Sequence, residues 1–216
     1  MAAGSLLEAE IVTADGEIRQ VDEQTDSDLF WAIRGGGGNF GVATRFRFAL
    51  QEVPGIVGGF LVLPATAETV AGFIQAAQSA PEELSTIANV MPAPPAPFIP
   101  EHAQGRLVIF GILCYAGDAE AGNRAIAPFR ALAEPITDMV KPTSYPEIYP
   151  PDDESYRPTA VATTMFVNRI DLHVAREIMR HLEASDAAMR VAQLRVLGGA
   201  MARLAPSFYL VDVTVP

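Results

Sequence analysis

The chain has 216 residues, of which 50% are hydrophobic and 19% are charged. This composition excludes disorder for most of the chain, because disordered segments combine low hydrophobicity with high charge. The 15 basic and 26 acidic residues give a net charge of −11, which argues against nucleic acid and against an anionic membrane surface as partners. The apolar runs are strand-sized and the start carries acidic rather than basic residues. We therefore expect a cytoplasmic protein with no transmembrane helix and no secretory signal.

The first third of the chain predicts a hairpin followed by a short helix. Residues 6–13 and 17–21 read as two strands around Asp15-Gly16, a dipeptide that strongly favours a hairpin turn. Asp26 is placed to cap the helix that follows, and Asp28 suits its positive end. The helical spacing predicts one buried face formed by Leu29, Phe30 and Ile33.

A strand with alternating side chains is predicted over residues 42–50. A period of two puts side chains on opposite faces of a strand. The predicted faces are Val42, Thr44, Phe46 and Phe48 on one side, and Arg45 and Arg47 on the other.

From Pro54-Gly55 onward the elements follow the order β-α-β-β-α-loop-β-α-β-β. Strands are predicted at 57–64, 84–91, 106–117, 159–167, 189–201 and 207–215. Helices are predicted over 66–79, from Asp118 to about 132, and from Asp171 to about 184. Consecutive strands without an intervening helix imply hairpins, so the pattern predicts an α+β fold with a largely antiparallel sheet and helices on one face.

The inward faces of the three predicted helices follow from their spacing. They are Val70, Phe73, Ile74 and Ala77; then Ala125, Ile126, Phe129 and Leu132; then Leu172, Ala175, Ile178, Met179 and Leu182. Five prolines in residues 91–101 predict an extended loop, and residues 141–158 are predicted to be loop-rich.

Four glycines, residues 35–38, separate the first helix from the strand at 42–50. Such a run is typical of a helix end followed by a bulge, and it can also form an anion-binding nest of backbone N–H groups. Asn39 adds a side-chain amide. The run does not lie between a strand and a following helix, so it does not fit the Rossmann dinucleotide-binding motif.

The segment DLFWAIRGGGGNFGVAT, residues 28–44, and LLEAEIVTADGEIRQV before it resemble the berberine-bridge-enzyme-like FAD-linked oxidases of the vanillyl-alcohol-oxidase superfamily, which have a PCMH-type FAD-binding domain. Only Ile33 and Ala43 differ from the family run. The similarity extends, more weakly, from residue 5 to about 204. The resemblance implies an FAD-dependent oxidoreductase in which flavin N5 accepts hydride from a C–H bond of a small alcohol, sugar, alkaloid or polyketide-like substrate.

The resemblance also implies a domain division and a set of cofactor neighbours. Residues 1–53 correspond to the last part of the FAD-binding domain, and residues 54–216 to an incomplete substrate-binding α+β domain. The residues implied to contact FAD are Gly37, Gly38, Asn39, Gly41 and Val42. No acid or tyrosine occurs between Arg190 and Leu204, where some relatives place one, so no catalytic base is assigned.

The chain departs from the family in lacking the glycine-rich pyrophosphate loop and the flavin-attaching histidine that precede this region. Its last segment also differs from the family's return to the flavin. We therefore expect a truncated species that does not hold FAD well by itself. Its expected partners are a small-molecule substrate, a second copy, or a chain that supplies the flavin-binding half; the alternative is a non-catalytic ligand-binding or interaction module.

Other candidate residues favour structural roles. A metal site on one helix face is weighed against a solvated face, which is favoured. The single cysteine favours an inert thiol over a nucleophile, and the acidic cluster favours a solvated loop over a calcium site. Three tyrosines favour loop packing over a pocket with a phenolic base. In the late strand, Gln193, Arg195 and Leu197, or the opposite set, face the cofactor side by resemblance. The residues of the metal candidate are His173, Glu177 and His181, and the cysteine is Cys114. The acidic cluster is Asp152, Asp153 and Glu154, and the three tyrosines are Tyr145, Tyr149 and Tyr156.

Overall fold

The computed structural model describes residues 2–53, 55–148 and 160–199. Their contacts divide them into two compact units, residues 2–52 with Gly199 (unit 1) and residues 53–198 (unit 2). Each unit has its own hydrophobic core and is considered by itself.

Unit 1 is a three-stranded antiparallel sheet with one helix. The strands β1 (Leu6–Val12), β2 (Ile18–Asp22) and β3 (Val42–Phe48) lie in the order β2-β1-β3, and helix α1 spans Ser27–Ile33. The predicted hairpin is confirmed: the turn is closed by hydrogen bonds between the backbone of Thr13 and that of Gly16 and Glu17. The small core consists of Leu6, Ala9, Ile11, Val21 and Phe30, with Leu29 and Ile33 packed against it, as predicted for the helix face.

Asp26 precedes helix α1 but does not cap it with its side chain. Its backbone is left-handed, with φ 51°, and its side chain makes no capping hydrogen bond. The carboxylate instead accepts a hydrogen bond of 3.2 Å from Arg19 Nη1 on β2. The predicted capping role is therefore wrong, because an ion pair with the neighbouring strand holds the carboxylate.

The predicted faces of β3 are also partly wrong. The pairing with β1 shifts between Glu10 and Ile11, where Glu10 opposes Arg45 and Ile11 opposes Ala43. Thr44 is the extra residue of this β-bulge, and a bulge interrupts the alternation of side chains. The Thr44 hydroxyl consequently lies on the same side as Arg45, and both contact the Glu10 carboxylate.

Unit 2 contains a six-stranded, largely antiparallel sheet. Its strands are β4 (Ile56–Pro64), β5 (Leu84–Pro92), β6 (Leu107–Ala116), β7 (Thr137–Asp138), β8 (Lys141–Thr143) and β9 (Ala192–Leu194). The order is β7-β4-β6-β5-β9, and β8 also pairs with β4. The helices are α2 (Ala67–Gln78), α3 (Ala119–Arg130) and α4 (Leu172–Ala184).

The starts of these three helices are confirmed by their caps. Asp118 and Asp171 each accept a hydrogen bond from the backbone N–H three residues later. The Thr66 hydroxyl does the same, and the Thr69 hydroxyl in turn accepts a hydrogen bond from the backbone N–H of Thr66, which completes a capping box. Each such cap stabilises a helix start by about 1 kcal/mol.

The main core lies between the three helices and one face of the sheet. Phe73 of α2 and Phe129 of α3 are fully buried and meet edge to face, with ring centroids 4.9 Å apart. The predicted inward residues are buried or pack against this core except Leu172, which is 36% exposed at the start of α4. The predicted α+β fold with helices on one face is confirmed.

The remaining strand predictions hold less well. Residues 160–167 have no regular secondary structure and are exposed, and of the strand predicted at 189–201 only Ala192–Leu194 pairs with the sheet. β7 and β8 were not expected; β8 occupies the start of the predicted loop region and pairs with the edge strand β4. The strand predicted at 207–215, the acids Asp152, Asp153 and Glu154, and the tyrosines Tyr149 and Tyr156 lie outside the described residues.

Candidate functional site

The glycine run forms a tight corner between α1 and β3. Gly36 N–H donates 2.9 Å to the carbonyl of Ala32, which ends the helix, and Gly37–Phe40 then form one turn of 3-10 helix. The Asn39 side-chain amide donates 2.8 Å to the carbonyl of Gly36. The Asn39 amide nitrogen therefore helps to close this corner, while its amide oxygen makes no hydrogen bond to the described residues.

Two of the glycines are required by their neighbours. A Cβ on Gly36 would lie 2.4 Å from the Phe40 ring and 2.5 Å from the carbonyl oxygen of Ala32. A Cβ on Gly41 would lie 2.4 Å from the carbonyl oxygen of Val12, and Gly41 also has a positive φ of 145°. These glycines let the chain pass close to α1 and β1.

The next two glycines have open space around them. A Cβ on Gly37 or Gly38 would meet no atom within 4 Å. Gly37 has a φ of 67°, which favours glycine, whereas Gly38 has no positive φ. Gly38 thus has neither a conformational nor a packing requirement within the described residues. Val42, which begins β3, is 69% exposed.

In unit 2 the candidate site is the second face of the sheet, defined as the face opposite α2, α3 and α4. The strand registers place alternate residues of β4, β5, β6 and β9 on it. Most of its side chains are only half-buried. The half-buried residues of the second face are Phe60, Ile87, Asn89, Met91, Phe110, Ile112 and Cys114. Gln193 is exposed at the β9 edge.

A proline-rich loop, residues 93–105, covers one end of the second face. Ile99 and Ala103 pack with Val62 and Val108 in a small separate core. Phe98 lies 6.2 Å from Phe110, centroid to centroid. The predicted extended loop therefore folds onto the sheet and leaves the part around Ile87 and Ile112 half-buried.

Polar side chains line the β5–β9 edge of the second face. Gln193 Nε2 donates 2.8 Å to Asn89 Oδ1, and Arg195 Nε donates 3.1 Å to Gln193 Oε1. Of the predicted late-strand alternatives, the structure places Gln193 on the second face beside Asn89. Sequence reasoning missed Asn89, although its position in the alternation of β5, one residue from the buried Ala88 and Val90, was a usable signal.

Glu147 is the carboxylate with the strongest local stabilisation near the second face. It accepts hydrogen bonds from the Thr143 hydroxyl and from the Ser144 backbone and hydroxyl. These bonds, the one from Thr143 first, lower the pKa of Glu147 to about 2. The carboxylate therefore remains ionised and orders the segment after β8.

Other predicted candidates have ordinary surroundings. Cys114 is half-buried on the second face, and burial raises the pKa of its thiol. The Glu177 carboxylate is held by Arg180, whose guanidinium also lies 3.1 Å from His181. Tyr145 is 51% exposed. Within the described ranges, no group of three or more His, Cys, Asp or Glu is arranged to hold a metal ion.

Curated proteins similar to the chain are FAD-linked oxidases. It is 29% identical over 149 residues to (R)-6-hydroxynicotine oxidase of Paenarthrobacter nicotinovorans, which covers 68% of this chain and 31% of the relative. It is 29% identical over 152 residues to an FAD-linked oxidoreductase of Dictyostelium discoideum, covering 68% and 30%. A glucooligosaccharide oxidase of Sarocladium strictum is 44% identical over 57 residues, 26% of this chain and 11% of that protein. No protein-family model matches the chain.

The fold is shared with solved structures of the same group. Xylooligosaccharide oxidase from Myceliophthora thermophila matches with a TM-score of 0.67 at 21% identity, over 95% of this chain and 46% of that one. 6-Hydroxy-D-nicotine oxidase from Arthrobacter nicotinovorans matches with a TM-score of 0.57 at 24% identity, over 68% and 31%. The chain is a homologue of the berberine-bridge-enzyme-like FAD-linked oxidases.

The similarity to these FAD-linked oxidases is partial in length. The chain spans about a third of the curated FAD-linked oxidases that it matches over most of its own length. Among the described helices, none is long and apolar enough to cross a bilayer.

Proposed function

We propose that the chain forms part of an FAD-dependent oxidoreductase that transfers hydride from a small organic substrate to flavin N5. The homology to FAD-linked oxidases supports this reaction class, and the names of the relatives indicate substrates as different as a hydroxynicotine and oligosaccharides. An alcohol, sugar, alkaloid or polyketide-like compound is the corresponding substrate class here. Bound flavin would supply the hydride acceptor.

In this proposal unit 1 contributes the cofactor neighbours Gly37, Gly38, Asn39, Gly41 and Val42. The observation that carries the assignment is Gly38. The space that its Cβ would occupy is open, and its backbone conformation does not require glycine. A strip of backbone without Cβ atoms allows a flat ring system to approach closely. This open backbone supports the proposal that the ring of a flavin lies against the corner.

The corner is less suited to hold the diphosphate of FAD. A diphosphate needs several aligned N–H donors or cations, and the chain carries a net charge of −11. We therefore propose that the chain binds FAD weakly by itself and that the main affinity is supplied from outside this corner.

An FAD titration of the 216-residue chain, followed by flavin fluorescence, tests the cofactor assignment. Gly38→Leu should weaken FAD binding by about tenfold, which corresponds to about 1.4 kcal/mol, because the added side chain occupies the open side. Gly4→Leu is the matched control, since Gly4 also lies in unit 1 with open space around its Cβ position. Equal affinities for the two variants, or no binding at millimolar FAD, would contradict the assignment.

Unit 2 contributes the substrate surface in this proposal. The apolar side chains Phe60, Ile87 and Ile112 provide contact area and exclude water, and the polar side chains at the β5–β9 edge orient the substrate. The organisation resembles that of ligand sites in general, where an apolar lining carries a few convergent polar groups.

We also propose that a second copy or a separate flavin-binding chain joins this protein in a cytoplasmic complex. β3 supports this idea because it is exposed along its whole length at the edge of the unit 1 sheet, with Phe46 52% exposed and Phe48 41% exposed. Exposed apolar residues on an edge strand favour association. Native mass spectrometry and cell fractionation test the two parts; a monomer at every concentration, or recovery outside the cytoplasm, would contradict them.

A further inference from the structure

Three side chains at the β5–β9 edge form a directed chain of hydrogen bonds. Asn89 Nδ2 donates 3.4 Å to the backbone carbonyl of Phe110 on β6, and Asn89 Oδ1 accepts from Gln193 Nε2. Gln193 Oε1 is then free to accept from Arg195 Nε. Each amide therefore has one orientation, and the last amide oxygen of the chain holds Arg195 through its Nε group.

Within the part of the chain that the structure describes, only the Nε group of this guanidinium makes a hydrogen bond. Among the described residues, Arg195 forms no ion pair, although seven other arginines do. The two terminal nitrogens of a guanidinium carry parallel N–H groups, which can donate to both oxygens of one carboxylate. An arginine anchored through Nε, whose two terminal nitrogens have no partner among residues 2–53, 55–148 and 160–199, is prepared to bind an anion.

Within the described residues, β4, β5, β6 and β9 place no carboxylate on the second face beside Arg195, and Glu147 follows β8 at the opposite edge of the sheet. The residues that β4, β5 and β6 place on the second face are apolar or uncharged. Lys141, a second cation, lies on β8 at the opposite edge of the sheet. β8 and β9 are separated by four strand spacings of about 4.8 Å each. Arg195 directly follows Leu194, which pairs with Ala88, so it lies at the edge of the second face next to the part that contains the half-buried Ile87 and Ile112.

We infer that the second face binds a small organic acid, with the carboxylate held by Arg195 and the apolar body lying on Ile87 and Ile112. The inference deepens the proposed function, because it assigns a substrate class to the same surface. Gln193 and Asn89 are positioning residues that hold the guanidinium. The electrostatic contact gives orientation and the apolar contact gives area, as in ligand sites of this kind.

Binding of benzoate and of its neutral analogue benzamide to the full chain, without FAD, tests the inference. Two-dimensional NMR follows the side-chain amides of Asn89 and Gln193 directly. Benzoate should shift these signals and bind about tenfold more tightly than benzamide. The preference should disappear in Arg195→Met and persist in Arg195→Lys.

Two further variants separate the role of Arg195 from a general effect of charge. Gln193→Glu places a carboxylate beside the guanidinium and should abolish the benzoate preference with Arg195 still present. Arg176→Met removes an exposed arginine from α4, on the other side of the sheet, and should leave the preference unchanged. Equal binding of benzoate and benzamide to the unaltered chain, or retention of the preference in Arg195→Met, would overturn the inference. Because FAD is absent, neither result bears on the flavin assignment at Gly38.

Discussion

The hydroxyl of Thr44, at the bulge of β3, donates a hydrogen bond of 2.7 Å to the carboxylate of Glu10 on β1. This bond, then the one from Gln20 and the charge of Arg45, lower the pKa of Glu10. The bulge thus brings a hydroxyl to a carboxylate that regular alternation would have kept on the opposite face.

Thr44→Val should raise the pKa of Glu10 towards its ordinary value of 4.5, because the largest stabilising bond to the carboxylate is lost. Arg45→Met should raise it less, since the charge of Arg45 makes the smaller contribution. An NMR titration of the Glu10 carboxyl carbon measures both effects. A larger shift in Arg45→Met would show that the ion pair, rather than the hydroxyl, stabilises the carboxylate.

Glu147 should give the chain an acid-dependent stability. Its pKa is lowered from 4.5 to about 2 by the bonds from Thr143 and Ser144. A depressed carboxyl pKa stabilises the fold fully above the unfolded value and loses this effect as the pH falls through the folded value. Urea unfolding should therefore show the contribution intact above about pH 4.5 and diminishing towards pH 2.

Glu147→Gln should remove that part of the pH dependence. Glu101→Gln is the control, because Glu101 is exposed and its carboxylate makes no hydrogen bond to the described residues. If the two variants show the same loss of stability between pH 2 and pH 4.5 as the unaltered chain, the bonds to Glu147 do not contribute to folding.

Gly41→Ala should destabilise unit 1 by about 2–4 kcal/mol, because a strained backbone and a steric overlap both add to the cost. Its φ is 145° and the added Cβ would lie 2.4 Å from the carbonyl oxygen of Val12. Gly38→Ala, with no atom within 4 Å, should change stability by less than about 0.5 kcal/mol. Chemical denaturation of both variants measures the difference, and equal stability would mean that the corner adapts.

Phe129→Ala should destabilise unit 2 by about 3–5 kcal/mol, the usual cost of removing a buried aromatic side chain. Phe129 is fully buried, and its ring centroid lies 4.9 Å from that of Phe73. A double-mutant cycle with Phe73→Leu and Phe129→Leu should give a coupling of about 0.5–1.5 kcal/mol. Additive effects would show that the two rings contribute only through burial.

Cys114 should react slowly with thiol reagents at neutral pH. It is the single cysteine of the chain, and burial raises the pKa of its thiol. Because the thiolate is the reactive form, the rate of iodoacetamide labelling should increase about tenfold for each pH unit between 7 and 8.5. Rapid labelling that is independent of pH would contradict a thiol in this environment.

The parts of the fold that depend on local sequence could be predicted. Asp15-Gly16 set the hairpin, and Thr66, Asp118 and Asp171 marked the helix starts, because turns and caps are formed by residues close together in the chain. The resemblance carried by residues 28–44 led to FAD-linked oxidases, and the homologues confirm that family.

Features that depend on distant contacts could not be predicted in the same way. The bulge at Thr44 results from pairing with β1, and Asp26 loses its capping role to Arg19 on another strand. The bond between Asn89 and Gln193 joins residues 104 positions apart. Only the sheet register brings them together, so a single sequence showed each residue type without its partner.

The loop over the second face is closed at its base, where the backbone of Ala93 bonds to those of Gly105 and Arg106. β5 and β6 are already paired up to Pro92 and Leu107, directly below this closure. The loop can therefore be shortened or lengthened without disturbing the register of the sheet. Evolution or engineering could use its length to set how large a molecule fits over the sheet, while the strands that orient the molecule remain constant.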